Sequence, residues 1–231
     1  MELLEVNHLC KTYGSGETAV HALKDVSFSV PKGEYVAVVG ESGSGKSVFV
    51  KCAMGLLDAN GYIDGGSILY NGMDLTKFQT DKDWLKIRGK EIAMVFQDPM
   101  TSLNPLKTIG KQIQEAVELH QGLKGKDAYQ AVLEVLSDVG IDDPERRYKQ
   151  YPHEFSGGMR QRVMIAMALA CNPKVIIADE PTTALDVTIQ AQILDLLRNL
   201  KDRINSSIML ITHDLGVIAE MADYVVVMYA G

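Results

Sequence analysis

A glycine-rich octapeptide constrains this chain more than any other stretch, and it consists of Gly40, Glu41, Ser42, Gly43, Ser44, Gly45, Lys46 and Ser47. It follows an apolar run, Tyr35–Val39, that is typical of a strand, and it precedes residues 48–57, which are predicted to form a helix. Strand, glycine turn and helix are the context of a phosphate-binding P-loop, in which successive backbone amides point at phosphate oxygens. In such a loop Lys46 supplies positive charge to the β- and γ-phosphates, and the Ser47 hydroxyl is a Mg²⁺ ligand.

Two other interpretations of the octapeptide can be compared with the P-loop. A glycine- and serine-rich surface turn has the same composition, but the complete G-x-x-x-x-G-K-S spacing between a strand and a helix favours the P-loop. A dinucleotide-binding fingerprint is excluded, because the glycines stand in the wrong order and a Lys-Ser pair has no role in one.

Composition narrows the class of protein further. The 231 residues are 46% hydrophobic and carry a net charge of −7, so a large core is expected and bulk attraction to nucleic acid is not. Cys10, Cys52 and Cys171 are few and far apart, which suits a reducing cytosol rather than a disulfide or metal framework. Residues 1–5 do not resemble a signal peptide, and the longest apolar runs, such as residues 163–171, are too short to span a bilayer.

Polar side chains stand at the ends of three further apolar segments that are predicted to be strands. Gln97 ends the segment 91–97, Asp179 and Glu180 end the segment 175–180, and His213 follows the segment 208–212. Because parallel strands place ligands at their carboxyl ends, Gln97 suits a Mg²⁺ ion or an attacking water, Asp179 the Mg²⁺ shell, and His213 the γ-phosphate. Glu180 can act as the base that polarises the water. For Gln97 and His213 taken singly, an ordinary structural or surface role is the default alternative.

The middle of the chain has a different character. Between residues 101 and 151 strand patterns disappear and helical periodicity takes over, so residues 98–172 are predicted to be an inserted helical subdomain, although core helices of a single layer are an alternative. Ser156, Gly157 and Gly158 then begin another helix, with the serine as N-cap and two glycines that expose the first amides. This would be a second anion site, which one nucleotide does not need unless the site faces a nucleotide on another molecule.

The first thirty residues contain two predicted strands, 3–9 and 26–30, which indicate an antiparallel layer beside the nucleotide. Tyr13 is predicted to lie in the loop after the first of them. An exposed loop tyrosine is the simpler interpretation, and a ring that stacks on a purine base is the other.

In this order the motifs resemble the nucleotide-binding domain of ABC transporters over essentially the whole chain. The resemblance implies that Glu180 is the catalytic base, His213 the switch histidine, Gln97 the Q-loop glutamine, and Tyr13 a residue that stacks on adenine. The segments that match the signature, Walker B and D-loop motifs are residues 155–161, residues 175–179, and Ala184, Leu185 and Asp186. It also implies a head-to-tail pair of ATPase subunits, homo- or heteromeric, in which Ser156, Gly157 and Gly158 of the signature helix face the ATP bound by the partner. Asp186 of the D-loop is implied to be a nucleotide-binding residue as well.

More narrowly, residues 100–105, 151–162 and 181–188 are similar to the ATPase subunits of dipeptide, oligopeptide and nickel importers. Methionine at position 159, where the wider family most often has glutamine, is usual in that group. The resemblance implies ATP and Mg²⁺ as ligands, a membrane permease as partner, a solute-binding protein as indirect partner, no nucleic acid, and a peripheral location on the cytoplasmic face of the membrane.

The predicted fold is α/β: a P-loop NTPase core with a mainly parallel sheet, an N-terminal antiparallel β layer and an inserted helical subdomain. Residues 1–97 and 173–231 would form the core and 98–172 the subdomain, within a single nucleotide-binding domain. A soluble ABC-type ATPase that acts on DNA or ribosomes is the rival function, and the acidic balance argues against it. A non-catalytic regulatory subunit is a second rival, which the presence of Glu180 and His213 disfavours.

Overall fold

The computed structural model describes residues 2–183 and 185–231, which divide into two compact units. One unit comprises residues up to 88 and residues 207–231, and the other comprises residues 89–206. Within the described residues, no helix combines the length and the apolar character needed to cross a membrane.

The first unit contains two sheets, and its strands and helices are β1 (Glu2–Tyr13), β2 (Val20–Pro31), β3 (Tyr35–Val39), α1 (Lys46–Ala53), β4 (Gly61–Tyr70), β5 (Met73–Asp74), α2 (Asp81–Trp84), β8 (Ser207–Ile211), α9 (Leu215–Met221) and β9 (Tyr224–Val227). Strands β2, β1, β4 and β5 form an antiparallel sheet in that order. Strand β3 pairs in parallel with β8 on one side and β9 on the other, and its residues 35–38 are buried. The two kinds of sheet confirm the predicted antiparallel layer and parallel core.

The antiparallel layer packs on helix α1, which starts at the P-loop. The rings of Phe28 on β2 and Phe49 on α1 meet edge to face with their centroids 5.0 Å apart. Aromatic pairs in this geometry add to the free energy gained by burying the two rings. The packing fixes the helix whose first turn carries Lys46 and Ser47.

The second unit contains β6 (Ile92–Val95), α3 (Pro99–Ser102), α4 (Ile109–Gln121), α5 (Gly125–Asp138), α6 (Pro144–Tyr148), α7 (Gly157–Leu169), β7 (Val175–Asp179) and α8 (Val187–Ile204). Strands β6 and β7 pair in parallel. The helices α4, α5 and α7 bury their apolar sides, with Ile113, Val132, Leu136 and Val163 all fully inaccessible. The stretch from 96 to 174 is helical apart from its loops, as its sequence pattern predicts, whereas the proposed boundaries at 98 and 172 stay a prediction.

The N-terminal strand corrects one expectation. Tyr13 does not lie in a loop: β1 continues past Leu9 to Tyr13, where it pairs with Val20 on one side and Gly61 on the other. The strand has irregular register around residues 6–12, and His8 has a positive φ of 50°. Those irregularities disrupt the alternation of side chains, while backbone pairing on both edges keeps the strand intact.

Candidate functional site

The P-loop occupies the turn between β3 and α1. Gly45 is the N-cap of α1 and has φ 97°, in the left-handed region that favours glycine. A Cβ at Gly45 would lie 2.8 Å from Leu23 Cδ2 and 3.0 Å from the Ala22 carbonyl oxygen, so β2 closes over the loop at this point. The first amides of α1 therefore begin directly at the loop, which is the geometry that a phosphate group requires.

Lys46 folds back over the same turn. Its ammonium donates hydrogen bonds to the carbonyl oxygens of Gly40 and Glu41, both at 2.8 Å, and to Ser44 Oγ at 3.3 Å. The side chain is only 8% exposed, whereas Ser47 is exposed on the first turn of α1. A buried positive charge, a helix N-terminus and an adjacent hydroxyl fit a polyphosphate with its Mg²⁺, so the residues present suit these ligands.

His213 leaves the same sheet edge as the P-loop. Residues 35–38 of β3 pair in parallel with residues 208–211 of β8, so the segments after the two strands start side by side. The backbone amide of Thr212 donates to the Val38 carbonyl oxygen at 3.4 Å, and His213 follows with an exposed side chain. Asp214 then caps α9 by accepting from Gly216 N at 2.8 Å. Within this unit the structure thus brings His213 and residues 40–47 to one edge of the parallel sheet.

In the second unit the parallel pairing of β6 and β7 brings Gln97 to Glu180. Gln97 Nε2 donates to Glu180 Oε2 at 2.9 Å, and Thr183 Oγ1 donates to the same oxygen at 2.9 Å. Glu180 has a positive φ of 47°, which turns the chain sharply after Asp179, the last residue of β7. Asp179 and Glu180 are both half-buried. A carboxylate held by two donors at a strand end is oriented to accept a proton from a bound water.

The glycine pair after Ser156 starts α7 as predicted. Ser156 Oγ accepts from Met159 N at 3.3 Å, which makes the serine the N-cap. Helix α8 approaches closely here, because a Cβ at Gly158 would lie 2.7 Å from Ile189 Cγ2. Asp186 caps α8 by accepting from Ile189 N at 3.0 Å, so its carboxylate has a structural task in this subunit. Ala184, in the predicted D-loop, lies outside the described residues.

Tyr13 is anchored by two residues that sequence reasoning missed. Its hydroxyl donates to Asp58 Oδ2 at 3.2 Å, and the ammonium of Lys11 lies over its ring, 4.7 Å from the centroid. Burial, reinforced by the bond to Asp58, raises the pKa of Tyr13 above its usual value. Thr183 was missed as well, since a threonine three residues after a glutamate carries no signal of a side-chain contact by itself.

Comparison with known proteins defines the class. Residues 23–183 match the model of the family described as ABC transporter, and the chain belongs to that family. The solved dimer of the ATP-binding cassette MJ0796 bound to ADP and Pi superposes with a TM-score of 0.86 at 30% identity, over 99% of this chain and 95% of that one.

Among curated proteins, similar relatives are oligopeptide and dipeptide transport ATP-binding proteins. The chain is 56% identical to AmiE of Streptococcus pneumoniae over 91% of its length and 59% of the relative's. It is 57% identical to OppD of Bacillus subtilis over 99% of its length and 64% of the relative's, and 51% identical to DppD of Escherichia coli over 100% and 70%. The chain therefore spans about three fifths of the first of these relatives.

Proposed function

We propose that this chain binds and hydrolyses ATP as the motor subunit of an ABC importer that takes up dipeptides or oligopeptides. The observation that carries the hydrolytic role is the Glu180 carboxylate, held by Gln97 and Thr183 directly after a buried parallel strand. The peptide cargo rests on the names of the relatives, and nickel is the alternative that the sequence resemblance leaves open.

The proposed reaction is in-line attack of water on the γ-phosphorus, with ADP as leaving group. Lys46 and the first amides of α1 bind the phosphates and offset the negative charge that develops on their oxygens. Glu180 orients the water and accepts its proton, and His213 contacts the γ-phosphate. Ser47, Gln97 and Asp179 would hold Mg²⁺, which supplies charge neutralisation of the phosphates when it is bound.

We further propose that two subunits pair head to tail, and that Ser156, Gly157, Gly158 and Asp186 face the nucleotide of the partner. The dimeric state of the MJ0796 cassette supports this arrangement. ATP would then favour closure, because a ligand that bridges two subunits binds the closed state more tightly than the open one. The pair would sit on the cytoplasmic face of the membrane, where residues following Gln97 transmit closure to a permease and a solute-binding protein delivers cargo indirectly.

Hydrolysis by the purified chain, measured against protein concentration with Mg²⁺, tests the motor. A rate that rises more than linearly and disappears in Glu180→Gln, while ATP binding is kept, supports composite sites made by self-association. Normal turnover in Glu180→Gln would refute the base assignment. A negligible rate with ATP still bound contradicts a self-sufficient homodimer and points to a different partner ATPase.

Cargo and partner require a cellular assay. Cells that carry Glu180→Gln are expected to lose uptake of a labelled tripeptide while Ni²⁺ uptake is unchanged, and the opposite result selects nickel. Co-purification of permease with the wild-type chain supports the importer, whereas co-purification of nucleic acid would favour a soluble ATPase.

A further inference from the structure

Lys11 is a buried cation without a hydrogen-bond partner among the described residues. It lies on β1, the strand that pairs with β2 on one side and β4 on the other, and its side chain is 0% exposed. Its Nζ donates no hydrogen bond to any of the residues described. Burial of an ammonium without such a partner is unfavourable for folding, so stability alone does not explain a lysine here.

The neighbours of the Lys11 ammonium are a neutral thiol, a more distant carboxylate and an aromatic ring. Cys52 lies close enough to feel the charge, but burial raises the pKa of its thiol to about 11, so it is neutral at physiological pH and offers no ion pair. The pKa of Asp58 is lowered mainly by the hydrogen bond from Lys51, and the charge of Lys11 has a smaller effect on it. The aromatic ring of Tyr13 is the direct neighbour, with 4.7 Å between Nζ and the ring centroid.

Two side chains hold Tyr13: Lys11 lies over the ring and Asp58 accepts from its hydroxyl. Gly61 on β4 leaves the space beside the ring that they need. A Cβ at Gly61 would lie 2.6 Å from Lys11 Nζ and 2.7 Å from Tyr13 Cε1, so ammonium, ring and backbone meet at this glycine. Asp58 is in turn held by Lys51, whose Nζ is 3.1 Å from Oδ2. The ring is therefore contacted on one face and at its hydroxyl while it stays half-exposed.

We propose that Lys11 is a positioning residue for the nucleobase, acting through Tyr13. Its ammonium holds the ring by a cation–π contact and withdraws electron density from it, which favours stacking of an electron-rich purine against the ring. Lys11 thus contributes to base affinity without touching the nucleotide, and Asp58 supports the same alignment from the hydroxyl end. This inference rests on the proposed ATP-binding function and on stacking by Tyr13.

Calorimetric titration of the whole chain with Mg-ATP and with Mg-tripolyphosphate separates a base effect from a phosphate effect. Lys11→Met keeps the length of the side chain and removes its charge, and ATP affinity is expected to fall roughly 3- to 10-fold. Tripolyphosphate affinity should stay within about twofold, because that ligand has no base to stack. Lys32→Met, at an exposed lysine, is the matched control and should change neither affinity.

Two further measurements distinguish positioning from a structural role. The melting temperature of Lys11→Met should equal or exceed that of the wild type, because an unpaired buried charge is removed. In a Tyr13→Ala background the same substitution should change ATP affinity by less than about twofold, since the ring through which it acts is absent. Asp58→Ala, at an exposed position, should weaken ATP binding and leave tripolyphosphate binding unchanged. This variant tests the alignment of the Tyr13 ring even if Lys11→Met folds poorly.

Specific outcomes overturn the inference. Equal losses for ATP and tripolyphosphate, or a loss that persists in the Tyr13→Ala background, would show that Lys11 does not act through the ring. If Tyr13→Ala weakens ATP binding and Lys11→Met does not, the positioning role of Lys11 is refuted while stacking by Tyr13 stands. Unchanged ATP affinity in Tyr13→Ala refutes the stacking role as well, and loss of binding of both ligands by the wild type refutes the proposed function itself.

Discussion

Two adjacent glycines at the start of α7 are expected to respond in opposite ways to the same substitution. Outside its own helix, the atom nearest to a Cβ at Gly157 would be Leu185 Cδ2 at 4.0 Å, whereas a Cβ at Gly158 would lie 2.7 Å from Ile189 Cγ2. Both residues are in the first turn of the helix, so alanine gains the same order of helix propensity at each, about 0.5 to 1 kcal/mol. Gly158 is half-buried under α8, whereas Gly157 is exposed, so only at Gly158 would a Cβ meet an atom at less than van der Waals distance.

The magnitude follows from that contact. Ordinary van der Waals contact between carbon atoms is about 3.5 to 4.0 Å, so Gly158→Ala must displace Ile189 by about 1 Å. Because isoleucine is branched at Cβ and restricted at χ1, its Cγ2 cannot easily rotate away. Overpacking of this kind costs about 1 to 3 kcal/mol. Gly158→Ala should therefore be less stable than Gly157→Ala by about 1 to 3 kcal/mol, or roughly 2 to 12 °C in melting temperature.

Thermal and urea unfolding of the two variants and the wild type measure this difference. Gly157→Ala is expected at or slightly above the wild-type stability, and Gly158→Ala below it. Adding Ile189→Ala should remove most of the difference between the two glycine variants, because it deletes the atom that Gly158→Ala strikes. Equal stability of the two variants would show that α8 shifts freely and that the argument from close packing is wrong.

Three other substitutions give separate tests. Lys46→Met should lower the melting temperature of the nucleotide-free protein by several degrees, because two carbonyl oxygens lose a charged donor. The exposed Lys32→Met should cause no such decrease, and an unchanged melting temperature in Lys46→Met would mean that the lysine does not stabilise the loop. Thr183→Val should lower kcat about 3- to 10-fold and leave the Kd for ATP unchanged, because it removes a donor to Glu180; an unaltered kcat would exclude a positioning role. Burial lowers the pKa of His120, so as pH falls below about 6.5 the unfolded chain binds a proton more readily than the folded chain. The free energy of unfolding of the wild type should therefore decrease in that range, and that of His120→Asn should decrease less, as urea titrations at pH 7.5 and 5.5 would show.

The fold was predictable where the chain carries strong local patterns. Buried parallel strands such as β3 and β7 are continuous apolar runs, and the helix start at Ser156 follows from capping chemistry. The end of β1 was not predictable, because Lys11 and Thr12 interrupt the apolar pattern although both are buried. Backbone pairing with two neighbouring strands, which leaves no trace in the sequence, carries the strand on to Tyr13.

The candidate site shows the same division. That Gln97 and Glu180 lie near each other follows from their positions at the ends of strands, which the sequence indicates. The contacts of Thr183 and Lys11 depend on a single turn and on the packing of one ring, and neither residue type indicates such a role. The roles assigned to Glu180, Thr183 and Lys11 stay predictions that the variants above can test.

The left-handed backbone of Glu180 means that the residue proposed to act in catalysis is not the residue that folds best at this position. A non-glycine residue at φ 47° carries strain of about 1 kcal/mol, which a glycine at the same position would not. A descendant that lost this carboxylate to glycine would therefore fold about as well as its parent. Protein abundance in a cell would therefore not reveal that such a copy had lost the proposed activity, so expression level is a poor guide to whether a relative of this chain retains it.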